Sequence, residues 1–310
     1  MVRVAYFGPA GTFTEEALLT QPDLAAGDRT AFPAVPEVIG AVERGDADGG
    51  VVPIENMIEG SVSVTLDTLA FDSDLLIQRE IDLPVSLSLC VRPGVALADV
   101  RTVVSFPHAL AQCRGWLAKK APGAEARASH STSDAAREVS KSKRTDMAAI
   151  CNTLAAELYG LEVLAREIED HPENQTRFVL IGRGVPAPTG HDKTSIVCFQ
   201  REDQPGSLLS ILQEFAARAI NLTKLESRPT KRGLGDYCFF IDCEGHISDE
   251  VIADALRNLA AKQAEVKFLG SYPVGGPVEA GIARRRAAGR AWKHAAAWVE
   301  SLRVQIREAE

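Results

Sequence analysis

Short apolar runs alternate with segments of helical periodicity along the first 185 residues, and this alternation predicts an α/β domain. The run at 85–91 differs from the others, because Val85, Leu87 and Leu89 alternate there with serine and cysteine. Its spacing predicts a strand with one less apolar face. The predicted strands of this domain are residues 2–7, 49–52, 85–91, 103–106, 147–150 and 178–181.

A cluster of glycine and proline at 182–190 predicts a domain boundary, because a packed element is hard to sustain there. Beyond it the chain follows the order βαββαβ, which is typical of the ferredoxin-like split βαβ arrangement. The predicted strands are 194–199, 222–228, 236–243 and 265–271, and the predicted helices are 207–219 and 249–261.

The chain becomes rich in alanine and arginine after residue 277, and apolar residues recur at helical spacing. This pattern predicts an amphipathic helix in the tail 277–310. The tail carries seven Lys or Arg and four Glu, a modest excess that favours docking on its own domain or a partner subunit over binding RNA or a membrane. The apolar positions of the helix are Trp292, Ala295, Val299, Leu302 and Ile306.

The length of 310 residues suggests about two domains, and 45% hydrophobic with 25% charged residues is typical of a globular enzyme or sensor. A net charge of −8 argues against non-specific nucleic-acid binding, since no positive field covers the chain as a whole. The first apolar run is too short for a signal peptide, and no window of about 18 apolar residues predicts a membrane span. We therefore expect a cytoplasmic protein without a membrane partner.

Six cysteines lie inside apolar segments and lack the close paired spacing of zinc or redox sites. This placement favours buried free thiols over a metal centre. The six are Cys90, Cys113, Cys151, Cys198, Cys238 and Cys243.

The segment 8–16 links the first predicted strand to a helix, and its glycines allow a tight turn whose backbone N–H groups can face a small anion. The alternative is a plain strand-to-helix turn capped by Thr12 or Thr14. The segment is not a dinucleotide fingerprint or a phosphate loop, because the required spacing and lysine are missing.

The segment 51–62 follows another predicted strand and supplies a carboxylate, an amide and a hydroxyl at Glu55, Asn56 and Ser61. Strand ends line ligand crevices in α/β folds, so these three residues are candidates for a site. We interpret Glu59 in the same segment as a solvated surface charge.

Thr176, Arg177 and Phe178 place a hydroxyl, a guanidinium and an aromatic ring on consecutive residues before an apolar strand. Together with the two segments above, this triplet resembles the motifs of prephenate dehydratases, and the resemblance covers residues 1–273. It rests on Gly-Pro-x-Gly-Thr-Phe-Thr at 8–14, Pro-Ile-Glu-Asn-x-x-x-Gly-Ser-Val at 53–62, Ser105 and Pro107 with Ala111-Gln112-Cys113, and Thr-Arg-Phe at 176–178. The second half is similar to the regulatory ACT domain of those enzymes, through residues 204–209 and 226–229.

The chain departs from this family pattern at two places. Many members read Ser-His-Pro-Gln where this chain has Phe106 and His108, so no role that requires imidazole at position 106 carries over. We expect His108 at a surface or lobe-edge position. Ser207 replaces the small apolar residue usual in the effector loop, which is expected to weaken or retune regulation.

The resemblance implies a hydro-lyase, a carbon–oxygen lyase that converts prephenate to phenylpyruvate, carbon dioxide and water in L-phenylalanine biosynthesis, with no cofactor. It implies that Thr176 donates to the leaving hydroxyl. Because an alcohol is a weak acid, we hypothesise that Thr176 relays a proton from Glu55, if burial keeps that carboxyl protonated. We expect Arg177 to pair with the carboxylate that is retained, since a cation on the departing carboxylate stabilises the ground state. The alternative for Arg177 is an inter-lobe ion pair.

The remaining substrate-binding candidates are neutral donors and one ring. The donors surround the substrate in the arrangement that the resemblance implies, whereas the ring is favoured as a packed wall beside the nascent aromatic product. These candidates are Thr12, Asn56, Ser61, Ser105, Gln112 and Phe178.

The resemblance further implies a two-lobed catalytic domain like that of periplasmic binding proteins at 1–185, with the site in the cleft. Lobe one combines 1–77 with 165–185, and lobe two is 78–164. An ACT regulatory domain follows at 193–273. Phenylalanine is implied as an allosteric feedback inhibitor bound between two such domains, and hence a homodimer or homotetramer. The implied effector residues are Gly206, Ser207 and Leu208 at a helix start, with Asn221, Glu226, Ser227, Arg228 and Pro229 on the facing wall.

Two other functions remain open from the sequence. A non-catalytic two-lobed amino-acid sensor shares the fold but needs neither Thr176 nor Glu55. An arogenate dehydratase acts on the amino analogue of prephenate and needs a carboxylate free to meet the ammonium group.

Overall fold

The computed structural model describes residues 1–200, 204–231, 233, 236–263, 265–275, 294–295 and 297–304. The chain forms two compact units. The first combines Met1–Thr68 with Ile81–Ile181, and the second combines Leu69–Glu80 with Gly182–Glu310. The segment Leu69–Glu80 therefore interrupts the first unit in sequence but belongs to the second.

The first part of the chain alternates short strands and helices. A π-helical turn spans Thr68–Asp72, and a 3₁₀ turn spans Leu97–Asp99. In chain order the strands and helices are β1 (Arg3–Phe7), α1 (Phe13–Leu19), α2 (Pro22–Ala25), β2 (Asp28–Phe32), α3 (Val35–Glu43), β3 (Gly49–Asn56), β4 (Gly60–Ser61), α4 (Ser63–Asp67), β5 (Leu76–Pro84), β6 (Ser88–Val91), β7 (Thr102–Ser105), α5 (Pro107–Gln112), α6 (Arg114–Lys120), β8 (Glu125–Ala128), α7 (Thr132–Lys141), β9 (Met147–Cys151), α8 (Thr153–Leu158), β10 (Glu162–Ala165) and β11 (Gln175–Gly182).

Two sheets organise this region. One has the order β2-β1-β3-β11-β5, with β4 paired to β3, and the other has the order β10-β6-β9-β7-β8. Each sheet is mixed, because β1 pairs in parallel with β2 and β3 while β11 runs antiparallel to β3, and β7 pairs in parallel with β8 and β9 while β6 runs antiparallel to β9. The α/β class and the two-lobed arrangement expected from the sequence are confirmed.

Each sheet has its own apolar core, so each lobe is held by side chains from its own strands. In the first sheet, Tyr6, Val51 and Phe178 pack with Leu18 of α1. Burial of such large side chains stabilises each by about 1.5–3 kcal/mol relative to exposure. The second sheet buries Leu87, Leu89, Val91, Val103 and Ile150 in one cluster.

The second unit contains a four-stranded antiparallel sheet of order β13-β14-β12-β15 with two helices. The predicted βαββαβ order is confirmed, and the burial of Ile196, Phe215, Ile241 and Leu259 shows that strands and helices share one core. Its elements are β12 (Asp192–Phe199), α9 (Ser207–Ala216), β13 (Leu222–Pro229), β14 (Tyr237–Glu244), α10 (Glu250–Lys262) and β15 (Glu265–Pro273).

The segment Leu69–Glu80 packs closely inside the second unit. Gly270 has φ +141°, and a Cβ there would meet the Ile77 carbonyl oxygen at 2.6 Å, so only glycine fits this backbone conformation and this approach. Lys193 Nζ lies 2.7 Å from Glu80 Oε2, with both side chains almost fully buried. The segment thus contributes an ion pair as well as backbone packing.

The tail and the cysteines agree with the sequence expectations where they are described. Residues 294–295 and 297–303 are helical, with Val299 and Leu302 exposed, whereas Trp292 and Ile306 lie outside the described residues. All six cysteines are buried free thiols, as predicted. Among the described residues, no helix is both long and apolar enough to span a membrane.

Several strands differ from the prediction. The strand predicted at 85–91 is shorter, because β6 begins at Ser88, and β5 precedes it as a separate strand of the other sheet. The strands β2, β4, β5, β8 and β10 were not predicted. Every residue of β8 is exposed, and so are four of the five residues of β2. These two edge strands are therefore formed by backbone hydrogen bonds to their neighbours and carry no apolar pattern.

Candidate functional site

Strands β3 and β11 bring the predicted site residues of two distant segments side by side. Thr176 pairs with Asn56 in the antiparallel register, and Arg177 pairs with Glu55. Asn56 Nδ2 lies 2.8 Å from Thr176 Oγ1. The sheet therefore places an amide against the hydroxyl that the sequence singled out.

The hydrogen bonds of Asn56 fix which atom faces Thr176. Asn56 Oδ1 accepts from the backbone N–H groups of Ile58 and Glu59, each at 3.0 Å. These donors can only meet the amide oxygen, so the amide NH₂ must donate to Thr176 Oγ1. The hydroxyl of Thr176 then accepts from Asn56, and its own proton is directed elsewhere.

Arg177 lies between two carboxylates on neighbouring strands. Its Nη1 is 2.8 Å from Glu55 Oε2 on β3, and its Nε is 3.3 Å from Asp82 Oδ1 on β5. The three side chains are between one fifth and about one third exposed, so an incoming anion can reach the cluster. The Glu55 side chain is 33% exposed and pairs with the Arg177 guanidinium, so the burial that the relay hypothesis asks for is only partial.

The loop before α1 carries Thr12, which is buried and whose Oγ1 donates to the Phe7 carbonyl at 3.3 Å. The backbone N–H of Gly11 donates to Glu15 Oε2 at 2.7 Å. One of the N–H groups that were expected to face an anion is therefore already bonded to a side chain of this protein. Burial, with help from Glu15, raises the pKa of Tyr6 to about 12. The loop is thus anchored from within its own lobe.

Contacts between the two lobes surround this loop. Ser133 at the start of α7 donates to the Ala10 carbonyl, and Asn152 Nδ2 donates to Glu16 Oε2 at 2.6 Å. Burial raises the pKa of the Glu16 carboxyl, and the hydrogen bond from Asn152 opposes that shift. Asn152 also caps α8 by accepting from the Ala155 N–H.

Gln112 is the last residue of helix α5, which follows β7 of the second sheet. Its side chain contacts residues of the first lobe. Its Nε2 lies 3.4 Å from Glu59 Oε1, and its Oε1 accepts from Asn174 Nδ2 at 3.1 Å. Glu59 Oε2 is also 2.6 Å from His108 Nδ1. Glu59 is exposed, as the interpretation of a solvated surface charge expected, but its carboxylate also contacts two side chains of the other lobe.

Two predicted substrate contacts are placed in the interior. Ser105 is fully buried, and its hydroxyl donates to the Ile150 carbonyl at 2.6 Å, so it does not fit the expectation of a neutral donor to the substrate. Phe178 is 2% exposed and packs in the core of the first sheet, as the packed interpretation expected. Ser61 is half-buried on β4, opposite Glu55.

The second unit contains a cavity of about 530 Å³ beside the start of α9. Of the predicted effector residues, Gly206, Ser207, Leu208 and Ser227 line it. Gly206 has φ +91°, a left-handed conformation that favours glycine and turns the chain into the helix. The Ser207 hydroxyl donates to the Gln204 carbonyl at 2.8 Å, so it is engaged by its own loop.

The other predicted effector residues are not brought to this cavity within one chain. Asn221 donates to Glu244 at 3.0 Å, and Glu226 pairs with Arg228 at 3.1 Å and with Lys224 at 3.4 Å. Pro229 is exposed at the end of β13.

Sequence reasoning missed several residues that the structure adds to these sites. Asp82, His108, Glu59 and Asn174 join the first site only through tertiary contacts, and no linear signal marks Asp82 or Asn174. The residues that line the cavity without having been predicted are Gln200, Gln204, Leu209, Leu212, Tyr237 and Phe239.

Comparison with known families and proteins gives consistent results. The family model described as prephenate dehydratase matches residues 4–185, and the one described as ACT domain matches residues 194–261. A protein of Mycolicibacterium vanbaalenii named prephenate dehydratase is 46% identical, over 98% of this chain and 99% of that protein.

Two solved structures are similar over most of the chain. The prephenate dehydratase of Arthrobacter aurescens in complex with L-Phe has a TM-score of 0.87 and 40% identity, covering 97% of this chain and 99% of its own. GqqA, described as a novel type of quorum-quenching acylase, has a TM-score of 0.78 and 29% identity, covering 89% of this chain and 98% of its own.

Proposed function

The chain belongs to the prephenate dehydratase family, and from that premise we propose that it converts prephenate to phenylpyruvate at the cluster around Thr176. The carrying observation is the Asn56–Thr176 hydrogen bond of 2.8 Å, which leaves the threonine proton for another acceptor. The reaction of this hydro-lyase removes a carboxyl group and a ring hydroxyl together, and aromatisation supplies the driving force. The enzyme's task is to bind the dianion and help hydroxide leave as water.

Thr176 is the group we propose to donate to the leaving hydroxyl. Because Asn56 is anchored by two backbone N–H groups, it holds Thr176 Oγ1 as an acceptor and orients the O–H bond. An oriented donor stabilises charge that develops on the departing oxygen without reorganisation during the reaction. An alcohol remains a weak acid, so a proton source behind it is still required.

Arg177 is the group we propose to bind the carboxylate that the substrate retains. Its pairs with Glu55 and Asp82 hold the guanidinium in place, so the cluster combines two carboxyl groups with one guanidinium before substrate arrives. An incoming carboxylate must therefore replace or share one of these contacts. Placing the cation on the retained carboxylate keeps the departing one poorly stabilised, which favours decarboxylation.

Glu55 has two possible roles that one experiment separates. Its pair with Arg177 supports a role in orienting the guanidinium, whereas the relay hypothesis makes it the proton source behind Thr176. Glu55→Gln removes the proton source and keeps the shape of the side chain. A pH–rate profile that retains the wild-type acid limb in Glu55→Gln excludes the relay, and loss of that limb supports it.

The test of the reaction is incubation of the purified chain with prephenate or arogenate, with phenylpyruvate and phenylalanine followed as separate products. We expect phenylpyruvate from prephenate, and a reduction of about 100-fold or more in kcat for Thr176→Ala. Thr176→Ser retains the donor and should keep most of the activity. Thr20→Ser, at the exposed end of α1, is the matched control and should leave kcat unchanged.

The alternatives predict other results in the same assay. An arogenate dehydratase gives phenylalanine from arogenate in preference to phenylpyruvate from prephenate, and a sensor gives neither product. No residue arrangement described above favours the acylase activity that the name of GqqA states.

We also propose that phenylalanine binds in the cavity beside α9 as an allosteric effector. The similar Arthrobacter structure contains L-Phe, and here Leu208, Leu209 and Leu212 offer an apolar wall next to the start of a ten-residue helix. Backbone N–H groups at such a helix start suit a carboxylate. Calorimetry should detect L-phenylalanine binding to the wild type and weaker binding to Leu212→Asn, and absence of heat with the wild type counts against the effector.

The domain limits, assembly and compartment complete the proposal. We assign the reaction to 1–185, the effector to 193–273 and an accessory role to the tail 277–310, most of which lies outside the described residues. Strands β13 and β15 are the two edges of the four-stranded sheet. An exposed edge can pair with a second copy of the chain, which is consistent with a homodimer or homotetramer. Sedimentation measures the assembly, and cell fractionation tests the cytoplasmic compartment expected for phenylalanine biosynthesis.

A further inference from the structure

Glu59 connects the turn after β3 to one face of helix α5. Its Oε2 lies 2.6 Å from His108 Nδ1, and its Oε1 lies 3.4 Å from Gln112 Nε2. His108 and Gln112 are four residues apart, so both point from the same face of the helix. One carboxylate therefore contacts one helix face at two points, across the two lobes of the first unit.

The side-chain amide of Gln112 is held at both ends. Its Nε2 faces Glu59, and its Oε1 accepts from Asn174 Nδ2 at 3.1 Å. A carboxylate can only accept hydrogen bonds, so the NH₂ group must be the end that faces Glu59. Asn174 is 1% exposed, and its backbone carbonyl accepts from the Val85 N–H at 2.8 Å, which anchors the main chain that carries the amide in contact with Gln112 Oε1.

His108 restricts the Glu59 side chain in turn. The imidazole stacks on Phe106, with ring centroids 5.2 Å apart and an interplanar angle of 22°. This stacking holds the ring plane in which Nδ1 meets Glu59. A glutamate that is 39% exposed otherwise retains rotamer freedom, and a single weak contact of 3.4 Å does not remove it.

The same turn also supports the proposed proton donor. Asn56 Oδ1 accepts from the Glu59 N–H, and Asn56 Nδ2 donates to Thr176. Glu59 is thus bonded through its backbone to the partner of Thr176 and through its carboxylate to Gln112. The two lobes contribute polar groups to one site, and Glu59 links them.

We propose that Glu59 and His108 are positioning residues for Gln112: His108 anchors the Glu59 carboxylate, and the carboxylate holds the Gln112 amide in the orientation that binds prephenate. In this proposal neither residue contacts the substrate. The inference rests on the proposed function, because it takes Gln112 to be a substrate contact.

The kinetic test uses full-length variants with prephenate. Glu59→Ala should raise KM about tenfold and leave kcat within about twofold, because it loosens a group that binds substrate and transition state alike. His108→Ala should raise KM about threefold, since the carboxylate keeps its contact to Gln112 but loses its anchor. His108→Gln should restore most of the loss, because an amide NH₂ can also donate to Glu59.

Two further variants separate positioning from a general structural effect. Glu59→Ala added to Gln112→Ala should change KM by less than about twofold, because the two residues act as one unit. Independent effects that multiply would overturn the proposal. Glu138→Gln is the matched control, since it removes the carboxylate of a similarly exposed pair with Arg127 and should leave KM unchanged.

A measurement without substrate distinguishes failure of this inference from failure of the proposed function. The ¹⁵N-detected side-chain amide resonance of Gln112 should shift in Glu59→Ala and in His108→Ala. Wild-type protein that does not turn over prephenate while this resonance shifts would refute the proposed function and support the contact. If neither KM nor the resonance changes in Glu59→Ala, the positioning role is wrong.

Discussion

Two groups of cations and carboxylates in this protein share their chemistry and differ in burial. Arg177 contacts Glu55 and Asp82 in the first unit, and its side chain is 34% exposed. Lys193 contacts Glu80 in the second unit, where the two side chains are 6% and 1% exposed. The first group can be reached by an incoming anion, whereas the second is closed to exchange of partners.

This difference in burial implies a difference in role. A partly exposed ion pair contributes little to stability, typically about 0–1 kcal/mol, so its partners can change when a charged ligand binds. A buried pair gains its attraction only against a large desolvation penalty, and removal of one partner leaves a charge without compensation. We therefore expect Arg177 to matter for turnover and Lys193 to matter for folding.

The largest effect is expected when the buried pair is broken. Glu80→Ala leaves the Lys193 ammonium buried without its carboxylate and should lower the free energy of unfolding by about 3–5 kcal/mol. Replacement of both residues by methionine should cost far less, because neither charge remains to be desolvated. Chemical denaturation of the three proteins checks this order, and equal losses for the single and double variants would contradict it.

Arg177→Met should have the opposite profile. We expect kcat/KM for prephenate to fall about 100-fold, which corresponds to about 2.7 kcal/mol of transition-state stabilisation. The free energy of unfolding should change by less than about 1 kcal/mol. A variant with normal kcat/KM, or one that unfolds as readily as Glu80→Ala, would remove the distinction between the two groups.

The two carboxylates around Arg177 should differ in importance. Glu55→Gln should reduce kcat/KM about tenfold and Asp82→Asn about threefold, because the charge-assisted contact of Glu55 is the shorter one. The two distances are 2.8 Å and 3.3 Å. Steady-state kinetics of the two variants, with Arg177→Lys as reference, determines the order, and a larger loss for Asp82→Asn contradicts it.

The smallest effect concerns Glu16, a carboxylate that meets an amide and, within the described part of the chain, no cation. Burial raises the pKa of this carboxyl above its ordinary value of 4.5, so ionisation costs stability, and the loss grows as pH rises from that value through the folded-state pKa. Glu16→Gln keeps an acceptor oxygen for Asn152. It should have a higher Tm than wild type at pH 8, and the gain should shrink as pH falls towards 4.5.

The pH dependence of the same Tm difference is the control for the Glu16 prediction. If the Tm difference between Glu16→Gln and wild type is independent of pH, the carboxyl does not ionise differently in the folded protein. A lower Tm at pH 8 would mean that the charged carboxylate stabilises the contact with Asn152.

The elements that the sequence predicted best are those with an apolar face and clear turn residues. The helix predicted from Ser207 begins at that residue, and the strands of the second unit agree to within about two residues at their ends. Edge strands such as β2 and β8 could not be recognised, because their side chains are mainly exposed and their backbone hydrogen bonds depend on neighbours far along the chain.

The candidate site was predictable only as far as its linear motifs extend. Thr176, Arg177, Asn56 and Gln112 stand in motifs, and the structure brings them into one network. Asp82 could not be found, because it reaches Arg177 through the order of strands in the sheet. Ser105 shows the opposite case: it stands in a motif, but its hydroxyl donates to a backbone carbonyl in the interior of the fold.

Because Leu69–Glu80 belongs to the second unit, it limits where the chain can be cut into separate domains. A fragment that ends near residue 185 keeps this segment but loses Lys193, Phe199 and Gly270, with which it packs. Such a fragment loses the ammonium that pairs with Glu80 and the ring that packs against Phe71. No single cut separates the two units cleanly, so a transplanted regulatory half needs the matching twelve-residue stretch from its donor.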